Sequence, residues 1–323
     1  MSLTTPDPHA NKASWLLRAA HEAAAAQDHP PGALYVVATP IGNLADLTLR
    51  GIHLLAQADC VACEDTRHSA RLLHLLGLSK PLLACHEHNE AQAAERVIGA
   101  LRQSQRVVFV SDAGTPAVSD PGAALVAAVR AAGLRVVPVP GPSAVAAALS
   151  VAGDAHGSGF VFRGFLPARG AQRQAAVAQL AQEPMTQVLF EAPHRMEALR
   201  RELAEQLPDR TVTVCKELTK QFESIHTLSA ATLIDQLGTE DAHPDREAQP
   251  AHERGEFVLV VHAATPRGAL DSAAGELDAS TQRTLSVLLQ ELPVKQAVAL
   301  TAQLTGASRN TLYEAALRLR NAT

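Results

Sequence analysis

Short apolar runs alternate along the chain with longer stretches in which apolar residues recur at helical spacing. The clearest run, Val107-Val108-Phe109-Val110, contains no polar residue, which predicts a strand buried on both faces of a parallel sheet. Similar runs predict strands at residues 33–38, 58–63, 82–85 and 134–139, with helices between them. Because strands and helices alternate, residues 32–153 are expected to form an α/β domain around a doubly wound parallel sheet.

The same alternation continues toward the C-terminus. Apolar runs at residues 159–163, 186–190, 211–216 and 257–262 predict a second α/β domain over residues 154–265. The polar segment 238–256 within it is expected to be a solvated loop. After a linker, leucines at i, i+3, i+4 and i+7 predict a small helical domain, so that linker and helices occupy residues 266–323. Residues 1–31, rich in alanine and proline, are expected to be a flexible extension, with one short alanine-rich helix possible at residues 15–26.

Composition narrows the class of protein. With 323 residues, 47% of them hydrophobic, the chain can bury a substantial core. The net charge of −5 does not by itself indicate a polyanionic partner. Four cysteines are too few for a disulfide framework and fit a reducing compartment. No apolar run approaches the ~20 residues of a membrane span, and the N-terminus lacks the order of a signal peptide, so a cytoplasmic protein is expected.

Each predicted strand of the first domain ends in a loop of polar or glycine-rich residues. The carboxyl ends of parallel strands meet at one edge of a sheet, and open sheets of this kind bind small molecules beyond that edge. Gly114 and Gly141 lack the Cβ that would prevent a ligand from approaching the backbone closely. The sequence therefore predicts a ligand site built from loops 39–43, 64–68, 86–89, 111–116 and 140–144.

The polar loops also have simpler interpretations. In the segment Glu64-Asp65-Thr66-Arg67-His68, Asp65 or Thr66 could cap the following helix while Arg67 is solvated, and this role is compatible with a functional one. His86 and His88 could transfer protons near neutral pH, although exposed loop histidines are as common.

Two ligand classes are disfavoured by the sequence. The glycine motifs that bind the phosphates of nucleotides and dinucleotides are absent, so the ligand is not expected to be held by its phosphates. Cys60 and Cys63, with Cys85, His86 and His88 downstream, could be read as zinc ligands or a redox pair. Residues i and i+3 of a strand point to opposite faces, however, which favours buried thiols and no metal.

Nine motifs occur in an order that points to a family. They are Thr39-Pro40-Ile41-Gly42-Asn43-Leu44, Glu64-Asp65-Thr66-Arg67-His68, Ser111-Asp112-Ala113-Gly114-Thr115-Pro116, Asp120-Pro121-Gly122, Pro140-Gly141-Pro142-Ser143, Gly164-Phe165-Leu166-Pro167, His194-Arg195, Lys216-Glu217-Leu218-Thr219-Lys220 and Arg254-Gly255-Glu256. With them, residues 32–262 resemble the tetrapyrrole methylase superfamily, and within it a branch that methylates ribosomal RNA. The helical tail is similar to a C-terminal domain of that branch, whereas residues 1–31 have no counterpart.

The resemblance implies a class III methyltransferase fold, in which two α/β domains enclose S-adenosylmethionine. It implies methylation of the ribose 2′-hydroxyl of a cytidine in the decoding region of 16S ribosomal RNA, within the small ribosomal subunit, by a homodimer without a DNA or membrane partner. By analogy with the superfamily, the cofactor contacts would be made by Pro40, Asp112, Gly114, Thr115, Val118, Ser143 and Leu166.

A ribose hydroxyl is a weak nucleophile, so a base or a cation must assist its loss of a proton while the methyl group is transferred in line. The choice among the ionisable residues at strand ends stays open, and the candidates are Glu64, His68, Glu191, Lys216 and Glu217. Arg67, Arg195 and Lys220 are expected to bind RNA phosphates. A chain with a negative net charge can bind RNA if basic residues cluster at the cleft, as is expected for Arg163, Arg169, Arg173, Arg195 and Lys220.

Two alternatives remain. The nearer one is a small-molecule methyltransferase of the same superfamily that acts on a corrin precursor or a modified histidine. The other is a helix-turn-helix regulator, in which Ser308 caps a recognition helix carrying Arg309, Asn310, Arg318 and Arg320. A regulator would leave the strand-end loops without a function.

Overall fold

The computed structural model describes residues 8–236, 255–264, 277 and 279–321. Its contacts divide the chain into two compact units. The first contains the described residues up to Ala155 and those from Gly159 to His262, and the second contains His156–Ser158 and the described residues from Ala263 onward. The first unit holds both sheets, and the predicted domain boundary at residue 153 stays a prediction.

The first sheet is parallel throughout. Its strands are β1 (Ala33–Val37), β2 (Cys60–Cys63), β3 (Leu82–Ala84), β4 (Val107–Val110) and β5 (Arg135–Val139), in the order β3-β2-β4-β1-β5. The fully apolar run at 107–110 forms the central strand, and every residue in it is buried, as predicted. All five strands therefore end at the same edge of this sheet.

Helices cover both faces of the first sheet. They are α2 (Leu49–Gln57), α3 (Thr66–Leu75), α4 (Glu90–Arg102) and α5 (Ala123–Ala131). Val108 and Val110 belong to the apolar cluster with residues of α2 and α3, whereas Val107 and Phe109 belong to the cluster with α4 and α5. This alternation follows from the two-residue period of a strand and confirms the doubly wound arrangement.

A helix replaces the flexible extension that was expected at the N-terminus. This helix, α1, spans Pro8–Ala24 and packs on α2, with Ala20 fully buried in the cluster that also contains α2. The Tyr35 hydroxyl donates to the Pro30 carbonyl at 2.7 Å, which fixes the chain that links α1 to β1. Most of the alanine-rich segment that the sequence marked as a possible helix is part of α1, and its alanines provide a flat face that packs closely.

The second sheet is mixed. Its strands are β6 (Phe160–Phe165), β7 (Thr186–Glu191), β8 (Thr211–Lys216), β9 (Ser224–Ser229) and β10 (Phe257–Val261), in the order β6-β7-β10-β8-β9. Only β6 and β7 run parallel, and the other neighbours are antiparallel. β9 was not predicted, because the sequence of this edge strand is largely polar.

Two sets of helices pack on the second sheet. One face lies against α7 (Gly170–Gln182), α8 (Met196–Gln206) and α9 (Leu233–Gln236). The other face lies against α6 (Ala144–Ala152) and also against Ile41, which comes from the loop after β1. Loops from the edge of the first sheet thus meet this face of the second sheet.

The second unit contains three helices in its described part, as the leucine spacing predicted. They are α10 (Ala279–Glu291), α11 (Val294–Thr305) and α12 (Arg309–Asn321). Their shared core includes Leu285, Ala297 and Leu312. Most of the predicted loop 238–256 and of the predicted linker lies outside the described residues. None of the described helices combines the length and the hydropathy that a membrane span requires.

Candidate functional site

Three loops at the carboxyl edge of the first sheet are tied together by hydrogen bonds. The Thr39 amide donates to the Gly114 carbonyl at 2.9 Å, and the Gly114 amide donates back at 3.0 Å. The Thr115 hydroxyl donates to the Pro142 carbonyl at 3.0 Å. The loops that follow β1, β4 and β5 therefore form one floor, whose residues include Pro40, Asp112 and Ser143.

Glycine is favoured at two positions of this floor. Gly114 has a φ of 78°, which L side chains rarely adopt. A Cβ on Gly141 would lie 3.1 Å from the Cβ of Ala38, so a larger residue there would push the loop after β5 slightly away from the end of β1. Both positions were identified from the sequence, and the structure places both at the predicted edge.

Three carboxylates lie close together at the same edge. The Asp112 carboxylate accepts the Asp65 amide at 3.1 Å. Burial raises the pKa of Glu64, and the neighbouring Asp112 and Asp120 raise it further. Burial also raises the pKa of Asp120, with a further contribution from Asp112. The edge therefore carries concentrated negative charge, which suits a ligand with positive charge. Sequence reasoning placed Asp120 in a motif but gave it no role.

The loop between Asp112 and α5 is held in an unusual conformation. Ala117 and Ser119 both have a φ of 66°, in the left-handed region that non-glycine residues rarely occupy. The Gly122 amide donates to the Glu90 carboxylate, which anchors the end of the loop. Strained loops of this kind cluster at ligand sites. Val118, a predicted cofactor contact, lies within it and is 39% exposed.

The segment at the end of β2 contains the cap that the sequence analysis gave as its alternative. The Asp65 carboxylate accepts the Arg67 amide at 2.8 Å at the start of α3. The Arg67 guanidinium hydrogen-bonds the same carboxylate and holds the pKa of Asp65 well below its usual range. The Arg67 side chain is 89% exposed, and His68 is exposed as well. Arg67 is therefore accessible to a phosphate, whereas Asp65 has a structural role.

Glu191 lies in a buried ion-pair network of the second sheet. Its side chain is fully buried and contacts Arg173 at 3.2 Å and Arg195 at 3.0 Å. The same arginines donate to backbone carbonyls of the loop that follows β6, Arg195 to Leu166 at 2.6 Å and Arg173 to Pro167 at 3.1 Å. Glu191 therefore positions this loop and is not accessible as a base. The Leu166 side chain packs in the core beside α7 and α8, so only its backbone can face a ligand.

Lys216 and Glu217 lie at the end of β8. Lys216 is buried, and its ammonium lies 5.6 Å from the centre of the Phe257 ring. One carboxylate oxygen of Glu217 accepts the Lys220 ammonium at 3.0 Å and the Glu256 amide at 2.9 Å. These bonds hold the turn that contains Lys220, whose side chain lies against Gly42 of the loop after β1.

Four of the five residues that are predicted to cluster at the cleft are paired with carboxylates. Arg163 pairs with Glu183, Arg173 with Glu191 and Glu202, Arg195 with Glu191, and Lys220 with Glu217 and Glu256. The Arg195–Glu191 and Lys220–Glu217 pairs are local in sequence, whereas Glu183, Glu202 and Glu256 come from distant parts of the chain. Arg169 is exposed on the loop that precedes α7.

The cysteines support the interpretation as buried thiols. Burial raises the pKa of Cys85 and Cys215 to about 11 and also raises the pKa of Cys60 and Cys63. All four are therefore protonated at neutral pH. Among the described residues, no group of three or more histidine, cysteine or acidic side chains is arranged to hold a metal ion. His86 and His88 are exposed, with ring centres 6.2 Å apart.

Family profiles match most of the chain. The profile described as "Tetrapyrrole (Corrin/Porphyrin) Methylases" matches residues 33–234, and the profile described as "RsmI C-terminal HTH domain" matches residues 275–320. The chain is 43% identical over 290 residues to ribosomal RNA small subunit methyltransferase I of Neisseria meningitidis serogroup B, covering 90% of this chain and 94% of that protein. The protein of the same name from Escherichia coli O157:H7 is 40% identical over 293 residues, covering 90% and 96%.

Solved structures show a related fold. The methyltransferase CobJ covers 72% of this chain and 94% of its own, with a TM-score of 0.52 and 20% identity. A cobalt precorrin-4 methyltransferase covers 71% of this chain and 95% of its own, with a TM-score of 0.50 and 22% identity. At these identities the likeness concerns the fold alone.

Proposed function

Because this chain belongs to the ribosomal RNA small subunit methyltransferase I family of the tetrapyrrole methylases, we propose that it methylates a cytidine ribose 2′-hydroxyl in 16S ribosomal RNA. The nucleotide lies in the decoding region, and the methyl donor is S-adenosylmethionine. Family membership makes the chain a methyltransferase, and the donor, the nucleotide and the reacting hydroxyl are the proposed part.

One observation supports the site most directly. The mutual hydrogen bonds between Thr39 and Gly114 join two loops that the family resemblance assigns to the cofactor, and Thr115 ties the third. These loops lie at the carboxyl edge of a parallel sheet, where ligands of open α/β sheets bind.

The residues at this edge fit S-adenosylmethionine chemically. When bound, it supplies a methyl group on a positively charged sulfur. Asp112 is the carboxylate best placed for the polar groups of such a ligand, while Glu64 and Asp120 add negative charge that favours a cation. Gly114 and Thr115 supply backbone groups, and Pro40, Val118, Ser143 and Leu166 complete the proposed set of contacts.

Among the five candidates for proton transfer, Glu64 is the one we assign to this role. It lies beside Asp112 at the cofactor edge and is half-buried, and its raised pKa makes it a stronger base than an ordinary glutamate. Glu191 and Glu217 are committed to ion pairs that hold loops. Lys216 is buried beside Phe257, and His68 is exposed on α3.

The substrate is ribosomal RNA within the small subunit, and the protein acts as a homodimer. Arg67 and Arg169 are exposed and suited to phosphate contacts, in keeping with the salt-dependent binding of nucleic acids. Arg195 and Lys220 contribute mainly by shaping the loops that they pair with. Size-exclusion chromatography with light scattering tests the dimer, and a monomer at working concentration would contradict it.

Methyl transfer to small ribosomal subunits that lack the modification tests this function. Labelled S-adenosylmethionine is supplied, and the labelled nucleotide is mapped for the parent, for Asp112→Ala and for Asp46→Ala, an exposed control. We expect a 2′-O-methylated cytidine with the parent and the control and none with Asp112→Ala. Measurable cofactor binding without transfer to subunits or naked RNA would contradict the function and favour a small-molecule acceptor.

A further inference from the structure

Phe165 is an exposed aromatic residue at the end of β6. It is 55% exposed, although a large apolar ring gains free energy when it is buried. The chain is poor in aromatic residues, with 3% phenylalanine, tryptophan and tyrosine together. Neither the family resemblance nor the candidate chemistry gave this ring a role.

A β-bulge determines where the Phe165 ring points. Phe162 pairs with Val188 and Phe165 pairs with Phe190, so β6 contains one residue more than β7 between these pairs. In a regular strand, residues three apart point to opposite faces. The inserted residue places Phe162 and Phe165 on the same face, because a one-residue shift moves the following side chains to the other face.

The Phe165 ring contacts the Phe190 ring, which in turn contacts the Phe162 ring. The Phe190 ring lies 5.6 Å from Phe165 and 5.1 Å from Phe162, both in edge-to-face geometry. Phe162 and Phe190 belong to the apolar cluster with α6 and Ile41. This is the face of the second sheet that meets the loops of the first, so Phe165 extends an aromatic row from this face into solvent.

The surroundings of Phe165 belong to the proposed site. The adjacent Gly164 has a φ of 63°, and a Cβ there would lie 3.1 Å from the hydroxyl oxygen of Ser119. The strained loop that carries Val118 thus lies directly against the end of β6. Leu166, the next residue, is held through its carbonyl by Arg195. A strained bulge that directs a fixed ring toward a ligand site is typical of a recognition element.

We propose that Phe165 stacks on the target nucleobase of the RNA and so holds its ribose at the methyl donor. The inference rests on the proposed function. Unpaired RNA bases are recognised by stacking on aromatic side chains, and a ring that is already fixed loses little entropy when it binds. The exposed guanidinium of Arg169 follows on the same loop and offers a contact for a neighbouring phosphate.

The experiment compares variants of Phe165 with a control on the same strand. Phe160 is 50% exposed at the opposite end of β6, so Phe160→Ala removes an equally exposed ring without touching the site. For each variant, kcat/KM with small subunits that lack the modification is measured together with S-adenosylmethionine affinity by calorimetry and the Tm. We expect Phe165→Ala to lower kcat/KM about tenfold or more, with cofactor affinity and Tm unchanged.

Conservative variants separate stacking from apolar contact. Phe165→Tyr should retain activity close to that of the parent, Phe165→Leu should resemble Phe165→Ala, and Phe160→Ala should be unaffected. Equal activity of the alanine and parent proteins, full rescue by leucine, or a loss of cofactor affinity would each overturn the inference. If the parent itself transfers no methyl group to the subunits, the proposed function fails, and the inference fails with it.

Discussion

At the scale of single residues, buried charge is concentrated where loops must be held in place. Glu191 is fully buried, and both arginines that it contacts also bind the backbone of the loop after β6. Moving such charges out of water raises the free energy of the folded state, and the attraction between the paired charges offsets this penalty only while every charge has its partner. The network therefore makes the geometry of that loop dependent on one carboxylate.

Replacing Glu191 with glutamine should destabilise the protein strongly. Glu191→Gln removes the counter-charge of the half-buried Arg195 and one of the two carboxylates that pair with the buried Arg173, and we expect the free energy of unfolding to fall by about 3 kcal/mol. Glu197 of α8 provides the matched control, because its pair with Arg201 is more than 60% exposed on both sides. Glu197→Gln should change stability by less than about 0.5 kcal/mol. Urea unfolding measures both, and similar losses would contradict the assignment.

The pH dependence of methyl transfer should report the pKa of Glu64. A general base is active when deprotonated, so kcat/KM should fall as the pH is lowered through the pKa of Glu64, which burial, Asp112 and Asp120 raise above the ordinary value. Glu64→Gln should lower kcat and remove this limb of the profile. The profile is measured at saturating cofactor, and an unchanged acidic limb in Glu64→Gln would assign it to another group.

At the scale of elements, α1 shows how a helix that precedes the family-profile match becomes part of the fold. The helix contributes Ala20 to the core of the first sheet. The side chain of Arg106, the residue before β4, donates to the His29 carbonyl at 3.0 Å and so holds the segment that follows α1. His53 of α2 is buried between the rings of His21 and His29, with centres 5.6 and 5.2 Å away. Burial and these two neighbours lower the pKa of His53, which keeps it neutral.

A charge placed in the α1 interface should release the helix. Ala20 is fully buried, so Ala20→Asp should expose α1 to proteolysis and reduce its protection from hydrogen exchange, because an unpaired buried carboxylate is costly. Ala23→Asp places the same charge on the exposed side of α1 and serves as the control. If α1 were equally protected from hydrogen exchange and proteolysis in both variants, its packing on α2 would not be what holds it in place.

At the scale of the whole first unit, the two sheets meet through loops, and Gly42 marks one of the closest contacts. A Cβ on Gly42 would lie 2.4 Å from Cγ of Lys220 and 3.0 Å from the Leu218 carbonyl oxygen. The loop after β1 and the turn after β8 can therefore meet only if position 42 has no side chain.

Gly42→Ala should disturb this contact. Overpacking of this kind costs about 1–3 kcal/mol, and we expect weaker S-adenosylmethionine binding because the displaced loop carries Pro40. Gly99 of α4 is the control position, since a Cβ added there would have no neighbouring atom within 4 Å. Gly99→Ala should retain affinity and gain up to about 1 kcal/mol of stability. Calorimetry and thermal unfolding measure both, and unchanged affinity in Gly42→Ala would contradict the role of the contact.

The sequence alone determined the first sheet, its doubly wound helices, the loops at its carboxyl edge and the family. These features follow from local periodicity and from motifs in order along the chain, since β4 is apolar throughout and the loops after β1, β4 and β5 carry their glycines and Asp112 in sequence. The helix cap at Asp65 could also be predicted from the sequence, because a capping residue bonds to the first turn of the helix that directly follows it, here α3.

Only the tertiary structure decided which ionisable residues are free to take part in catalysis or in RNA binding. Arg173 and Lys220 were expected at the cleft as cations, yet Glu191 and Glu202 bind Arg173 from β7 and α8, and Glu256 binds Lys220 from a segment 36 residues away. No local pattern reveals these partners. The same holds for the face on which Phe165 lies, because the bulge exists only in the register between β6 and β7. Periodicity is a property of one segment, whereas pairing and register depend on two.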